Sequence, residues 1–293
     1  MISLKQTAFF LLLISLNSCQ FSKEKSEVER PKPTRKYEKP QDFTYSIWSL
    51  TTDSIQKVFQ SKFSSSERAT IIALNRMDEN TIQKADSLLI PDQFDDDFLA
   101  YAPFPYTVEK LAEVPKMAVF AYSIQAYGLY EYGELIKWGP SNMGSKAHPT
   151  PTGLYFTNWK GEEVQSTVDD EWILRWNFNI ENEEGIGWHQ YALPGYPASH
   201  SCLRLQEDDA KWLYNWAEEW ILKDANTVSA KGTPVVVFGK YDFDGKTLGL
   251  KLIKNAKAVT ISENELNQVI SKHLSEIIKE QENRDKIEKS SEM

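Results

Sequence analysis

The 293-residue chain predicts a mainly β, α+β fold: a small helical region, then a β region interrupted by one helix, then a C-terminal helix. Three observations carry this. Residues 171–180, EWILRWNFNI, alternate with period two. Trp172, Leu174, Trp176, Phe178 and Ile180 fall on one face and Arg175, Asn177 and Asn179 on the other, the pattern of a half-buried strand. Residues 232–239, GTPVVVFG, are a continuous apolar run of strand length that belongs inside a sheet. Between them, Glu207 to Lys223 spaces Leu213, Trp216, Trp220 and Ile221 at helical intervals.

Taken in order, the chain opens with MISLKQTAFFLLLISLNSCQ. Lys5 precedes a mostly apolar run, Thr7 to Leu16, too short to span a bilayer as a mature helix and right for a signal-peptide core. The run ends in Leu16-Asn17-Ser18-Cys19, and a small residue before cysteine after such a core resembles the lipobox of bacterial lipoproteins. That resemblance implies cleavage before Cys19, acylation of its thiol, and an exported protein anchored in a lipid bilayer and facing the periplasm or cell wall. A cleaved signal without lipid is the alternative. Residues 1–18 thus read as signal peptide and 19–45 as a disordered tether, because Gln20 to Phe43 is rich in Lys, Glu and Pro and nearly free of aliphatic residues.

Residues 46–112 read as a helical N-terminal region. Asp53 caps a short helix through Phe59, and Ser66 precedes ERATIIALNRM, whose Ile71, Ile72, Leu74 and Met77 share a side. The string IIALNRMDENTIQKADSLLIP resembles the second half of a LysM module, with Asn75 before the turn and Leu88-Leu89-Ile90-Pro91 as the closing strand. The glycine-aspartate opening of a full module is missing, so the segment is a degenerate copy or a look-alike. Asp95-Asp96-Asp97 lacks EF-hand spacing and reads as a solvated acidic loop.

Residues 113–243 hold the strands. MAVFAYSIQ and AYGLYEY are of strand length, Gly133-Glu134 marks a turn, and LIKWGPSN follows as another strand. In the interrupting helix, Glu207, Asp208 and Asp209 occupy the first turn, where the helix dipole favours them. Its Trp stripe reads as core rather than as a ligand cage. In residues 244–293, Ser262-Glu263-Asn264-Glu265 is a capping box that starts a helix running into a charged tail.

The net charge of −9, with both signs interspersed, argues against a nucleic-acid partner, which needs a basic face. Nine Trp, thirteen Tyr and fourteen Phe serve either an aromatic core or a groove for sugar or peptide. With Cys19 acylated, Cys202 is the last thiol and has no partner for an internal disulfide. A leftover thiol in an oxidising compartment is a hazard unless it is buried or used.

The flanking text, ASHSCLRL, suits use. A thiol that cleaves an acyl bond needs an imidazole to take its proton, a group that fixes that imidazole, and N–H donors for the oxyanion. His189, in GIGWHQ, and His200, two residues before Cys202, are the candidates. His200 and Cys202 share a side only in extended backbone, so the better base is the distant His189, brought across the fold. A zinc site from His189, His200 and Cys202 lacks a fourth ligand.

The stretch GWHQYALPGYPASHSCLRL resembles the catalytic signature of YkuD-type L,D-transpeptidases. That signature is a histidine, a loop, Ser/Thr-His-Gly-Cys, an apolar residue and Arg. Here it falls on His189, Ser199, His200, Ser201, Cys202, Leu203 and Arg204. AHPTPTGLYF resembles the family's Thr-Pro-Thr-Gly segment, and MAVFAYSIQAYGLYEYGELIKWGPSNMG its opening hairpin; the likeness runs from Lys116 to Phe243.

This resemblance implies a β-sandwich or open barrel with one packed helix. It implies Cys202 as nucleophile, His189 as its base and His200 as support. Ser199 and Ser201 would belong to the substrate-binding and oxyanion loop, and Arg204 would organise that loop or meet a substrate carboxylate. It implies attack on the third residue of a peptidoglycan stem peptide, loss of the terminal D-alanine, and transfer of the acyl group to an amine, with no metal or cofactor. Water competing for the same acyl-enzyme would make the protein a hydrolase, and a wall-binding protein without catalysis is the reading from another class.

Two departures stand out. Ser201 replaces the family glycine; if that position takes a positive φ, serine costs about 1 kcal/mol or more, though its N–H survives. The loop from His189 to Ser199 is also shorter than usual, which alters the groove. The sequence sets neither the acceptor nor the oligomeric state.

Overall fold

The computed structural model describes residues 34–49, 55–166, 172–245, 248–255 and 257–291. Cys19, the signal peptide, most of the tether and the helix cap assigned to Asp53 lie outside the described residues.

The first strand, β1 (Tyr45–Ser49), pairs antiparallel with β2 (Ser87–Pro91), and α1 (Ile55–Lys62) and α2 (Ser65–Asn75) lie between them in sequence. The expectation that this region is helical from residue 46 is therefore corrected at its start. YSIWS finds its partner in the expected closing strand. Helix α2 is capped by Ser64, two residues ahead of the expected Ser66, because Ser64 closes a reciprocal box with Glu67. Asn75 fastens the end of α2 to β2: its side-chain amide donates to the carbonyls of Ile71 and Leu89 and accepts the Leu89 N–H, all near 2.8–2.9 Å. Phe59, Ile71, Ile82 and Leu88 form a small core under these elements.

Residues 34–43, assigned to the tether, pack on the fold instead. Arg35 pairs with Glu134, Lys36 and Tyr37 with Asp95, and Phe43 stacks on Tyr101 at 4.2 Å between ring centres. The acidic loop thus meets basic and aromatic partners rather than solvent alone.

Eleven further strands follow: β3 (Met117–Ala121), β4 (Ala126–Glu131), β5 (Glu134–Pro140), β6 (Gly153–Phe156), β7 (Lys160–Gln165), β8 (Ile173–Glu181), β9 (Ile186–Gln190), β10 (Leu203–Leu205), β11 (Ile221–Asp224), β12 (Thr227–Ala230) and β13 (Pro234–Phe238). Helix α3 (Glu207–Trp216) interrupts them, and α4 (Leu248–Lys254), α5 (Glu263–Ser271) and α6 (Leu274–Ser291) come after. One sheet has the order β5-β4-β3-β13-β6, a second β10-β9-β8-β7, and β11-β12 form a separate pair. The architecture is α+β and mostly sheet, with two larger sheets and no closed barrel.

The alternation of β3 shows how the sheets pack. Ala118 and Phe120 point into a core shared with Phe178, Trp188, Leu203 and Leu213, which brings the four-stranded sheet and α3 onto one face. Met117, Val119 and Ala121 point the other way, against Leu252, Leu266, Ile270 and Ile277 of the C-terminal helices. Both faces are covered, so the strands read as continuous apolar runs rather than alternating ones. Each large side chain buried here contributes about 1.5–3 kcal/mol.

Three expectations change in detail. The helix from Glu207 ends at Trp216, not Lys223. Ala217 is extended, its neighbour Glu218 gives its carbonyl to Thr157 and Thr233, and Ile221 enters a strand; sheet pairing overrides the helical spacing of Trp220 and Ile221. In β8 two of the three polar positions are not solvated, while Arg175 stays exposed. Asn177 and Asn179 are buried, and a register shift with Trp176 at φ +53° breaks the alternation. Asn179 is satisfied internally by Asn158 and the Glu181 carbonyl. The C-terminal helix is a pair, α5 and α6, docked on the sheet. Ser262 caps α5 through the Glu265 N–H, and Arg284 of α6 donates to the carbonyls of Glu219 and Lys231.

Candidate active site

Strands β9 and β10 run parallel, with Leu203 opposite Trp188 and Arg204 opposite His189. Cys202 immediately precedes β10 and so arrives beside the start of β9, its Sγ 4.0 Å from the Gly185 carbonyl oxygen. Cys202, His189, His200, Ser199 and Arg204, together with Trp172, Tyr191, Leu174 and Ser166, line one pocket of about 30 Å3. This holds about one water. The thiol is half-buried, so the accessible cleft expected from sequence is narrow.

His189 is 3% exposed. Its Nδ1 lies 2.9 Å from the Gln190 carbonyl oxygen. A carbonyl only accepts, so Nδ1 carries the ring proton and Nε2 keeps its lone pair. Burial pushes the imidazole down to about 4; the Gln190 contact opposes this and the Arg204 charge adds to it. Burial pushes the Cys202 thiol up, more than the Gly187 N–H and Arg204 pull it back. Both directions favour a neutral thiol beside a neutral imidazole at rest, not a preformed ion pair.

Arg204 lies over the Tyr191 ring, 4.4 Å from its centre. Among the described residues no carboxylate pairs with its guanidinium, while its backbone is fixed to Asn142 by two bonds of 2.9 Å.

Ser201 has φ +80°, the left-handed conformation that the glycine argument anticipated. Its carbonyl accepts from Thr150 Oγ1 at 2.8 Å, and its hydroxyl reaches the Pro149 carbonyl at 3.3 Å. The turn also decides His200. It is not extended relative to Cys202 but sits exposed at the rim, edge-on to His148 at 4.4 Å and against Trp172 at 5.5 Å. Ser199 is buried, and its hydroxyl donates to the Cys202 carbonyl at 2.6 Å, bracing the loop that carries the thiol. Outside the strand ladders, the N–H groups of Ser201 and Cys202 donate to no described backbone carbonyl.

Sequence reasoning did not single out Thr150, Tyr191, Trp172 or the brace from the N-terminal region. Thr150 lay inside the Thr-Pro-Thr-Gly text: its hydroxyl accepts the Gly144 N–H at 2.8 Å while donating to Ser201. Gly144 is required there, since a Cβ would stand 2.2 Å from the His148 carbonyl. The brace had no local signal. Asp78 accepts the Leu193 N–H at 2.6 Å, its own N–H donates to the Leu193 carbonyl at 3.1 Å, and Thr81 Oγ1 donates to that carbonyl at 2.6 Å. Gln206 reaches the Met77 carbonyl at 2.9 Å. A wider cleft of about 480 Å3, lined by Arg68, Asp78, Gln190, Gln206 and Glu207 among others, adjoins the pocket through Tyr191. Among the described residues no cluster of three or more His, Cys, Asp or Glu stands close enough to hold a metal ion.

Residues 120–237 match the YkuD family, the L,D-transpeptidase catalytic domain. Among solved structures, L,D-transpeptidase 3 of Mycobacterium tuberculosis, in complex with a faropenem-derived adduct, is 22% identical, with 43% of this chain and 60% of that one covered at a TM-score of 0.34. An L,D-transpeptidase from Mycobacterium smegmatis is 20% identical over 43% of this chain and 59% of its own, at 0.34. An L,D-transpeptidase (Yku) from Stackebrandtia nassauensis is 16% identical over 72% and 98%, at 0.39. The chain spans about 60% of the length of the first two of these structures. No curated protein matches it. Residues 120–237 are thus similar to the YkuD-type L,D-transpeptidase catalytic domain.

Proposed function

We propose that this protein is a cell-wall L,D-transpeptidase that uses Cys202 to cleave a peptidoglycan stem tetrapeptide and passes the acyl group to an amine, forming a 3→3 crosslink. The observation that carries this is the parallel register of β9 and β10, which brings Cys202 and His189 to one pocket.

In this reading Sγ bonds to the carbonyl carbon of the third stem residue while its proton passes to Nε2 of His189. The oxyanion is held by the N–H groups of Ser201 and Cys202. Collapse breaks the C–N bond, and His189 returns the proton to the departing D-alanine amine. An acceptor amine then attacks the thioester, gives its proton to His189, and the released thiolate takes that proton back. Arg204 meets a substrate carboxylate. A pocket this small admits a peptide only when rim side chains such as Trp172 and His200 turn aside. The cleft beyond Tyr191 gives the acceptor an approach.

Incubation with a carbapenem should add its mass to the protein, and Cys202→Ala should abolish the adduct; an unmodified wild type would favour a wall-binding protein without catalysis. The strained Ser201 and the narrow pocket are the features that speak for that second reading. Stem tetrapeptides analysed by mass separate crosslinked dimer from hydrolysed tripeptide. We also propose export and anchoring through an acylated Cys19. Labelling with an alkyne fatty acid should mark the wild type and not Cys19→Ala.

A further inference from the structure

Arg76 terminates α2 in the left-handed conformation, φ +58°, where glycine or asparagine is the usual choice. Backbone economy does not select arginine there, so the reason lies in the side chain. That side chain is 2% exposed. Its Nε donates to the Ile124 carbonyl at 2.8 Å, and Nη1 donates to the carbonyls of Ala73 and Leu74. Nη2 has no partner among the described residues, and no described carboxylate pairs with the guanidinium. Carbonyls at the end of a helix offset part of a positive charge, not all of it. Burial accordingly pushes this arginine down to about 10, with only Tyr45 opposing. A buried cation left without a counter-charge is costly.

Arg76 lines a cavity of about 640 Å3, which shares no lining residue with the Cys202 pocket. Its walls include Tyr45, Tyr101, Phe104, Tyr106 and Ile261. The size and the mix of aromatic wall with a few polar groups are those of small-molecule sites. The Tyr45 hydroxyl, in the same wall, also lacks a hydrogen-bond partner among the described residues.

We infer that this cavity is a second ligand site, with Arg76 and Tyr45 receiving the carboxylate of a small organic monoanion whose apolar or aromatic body lies against the tyrosines. The lining charge selects a monoanion over a phosphate dianion. Glu38, Asp42, Glu109 and Glu263 also line the cavity, against Lys39, Lys257 and Arg76, and Lys257 is engaged by Asp42 at 3.1 Å. With four carboxylates against three cations the lining is already net negative, and a second negative charge on the ligand would add to that repulsion.

The test titrates the protein with dansylglycine, a fluorescent aromatic carboxylate, and with its uncharged amide. Saturable binding of the acid is expected, about tenfold tighter than the amide, which is about 1.4 kcal/mol. Arg76→Met should weaken the acid to the level of the amide, Tyr45→Phe should weaken it severalfold, and Cys202→Ala should leave it unchanged. If Arg76→Met fails to fold by circular dichroism, Tyr45→Phe and the acid–amide comparison decide. Equal binding of acid and amide, absence of saturable binding, or an unaltered affinity in Tyr45→Phe would overturn the assignment.

Discussion

The neutral imidazole of His189 makes a quantitative claim about acid stability. The group titrates near 6.5 in an unfolded chain and is pushed down to about 4 by burial in the folded protein. Between those values the unfolded state binds a proton that the folded state refuses, so stability is complete above 6.5 and drains away as pH falls toward 4. The linkage amounts to about 2 kcal/mol by pH 5 and about 3 kcal/mol by pH 4. Carboxylates that add to acid lability act lower: Asp95, held down to about 2 by Lys36 and Tyr37, loses stability only below its ordinary 3.8. Urea unfolding of wild type and His189→Gln at pH 7, 5.5, 5 and 4 isolates the effect. The wild type should lose about 2 kcal/mol more than the variant between pH 7 and pH 5. Parallel loss in the two proteins would mean that the imidazole is solvated or paired as imidazolium, and the resting-state assignment would fall with it.

Three other outcomes follow from the same geometry. Cys202, with its thiol pushed up by burial, should react with iodoacetamide more slowly than free cysteine at pH 7, and the rate should still climb where an ordinary thiol levels off; a plateau by pH 7 would reveal a thiolate–imidazolium pair instead. Ser201→Gly relieves a φ of +80° but gives up a long 3.3 Å bond to Pro149, so thermal unfolding should shift by no more than about 1 kcal/mol, toward stability, with acylation kept or raised; a large loss of acylation would give the serine hydroxyl a role in the chemistry. Asp78→Ala leaves the buried Leu193 N–H unpaired, so it should cost about 1–3 kcal/mol and slow acylation of Cys202 although Asp78 does not line its pocket; unchanged acylation would show that the brace does not position the loop.

The interior strands and the residues of the candidate site were legible because each had a local signal. Met117–Ala121 and Pro234–Phe238 are apolar throughout because both faces are covered, and the histidine–loop–cysteine spacing survives without knowledge of the fold. The positive φ of Ser201 followed from the glycine it replaces. What failed was set by distant partners. Nothing near Trp216 announces that Thr157 and Thr233 will draw Glu218 into a sheet edge. Nothing near Asn177 announces that it and Asn179 are covered while Arg175 stays exposed. Residues 34–43 look unstructured by composition, yet Arg35, Lys36 and Phe43 have partners elsewhere in the chain. The resting charge of the Cys202–His189 pair depends on burial, which spacing does not encode.

The contact of Asp78 and Thr81 with Leu193 sets where this molecule can be cut. A fragment that begins at β3 keeps Cys202 and His189 in its sequence but forfeits the outside hold on the segment joining them. The shortest piece that retains this hold therefore starts upstream of Asp78, and the N-terminal helices belong to the frame of the segment between His189 and Cys202.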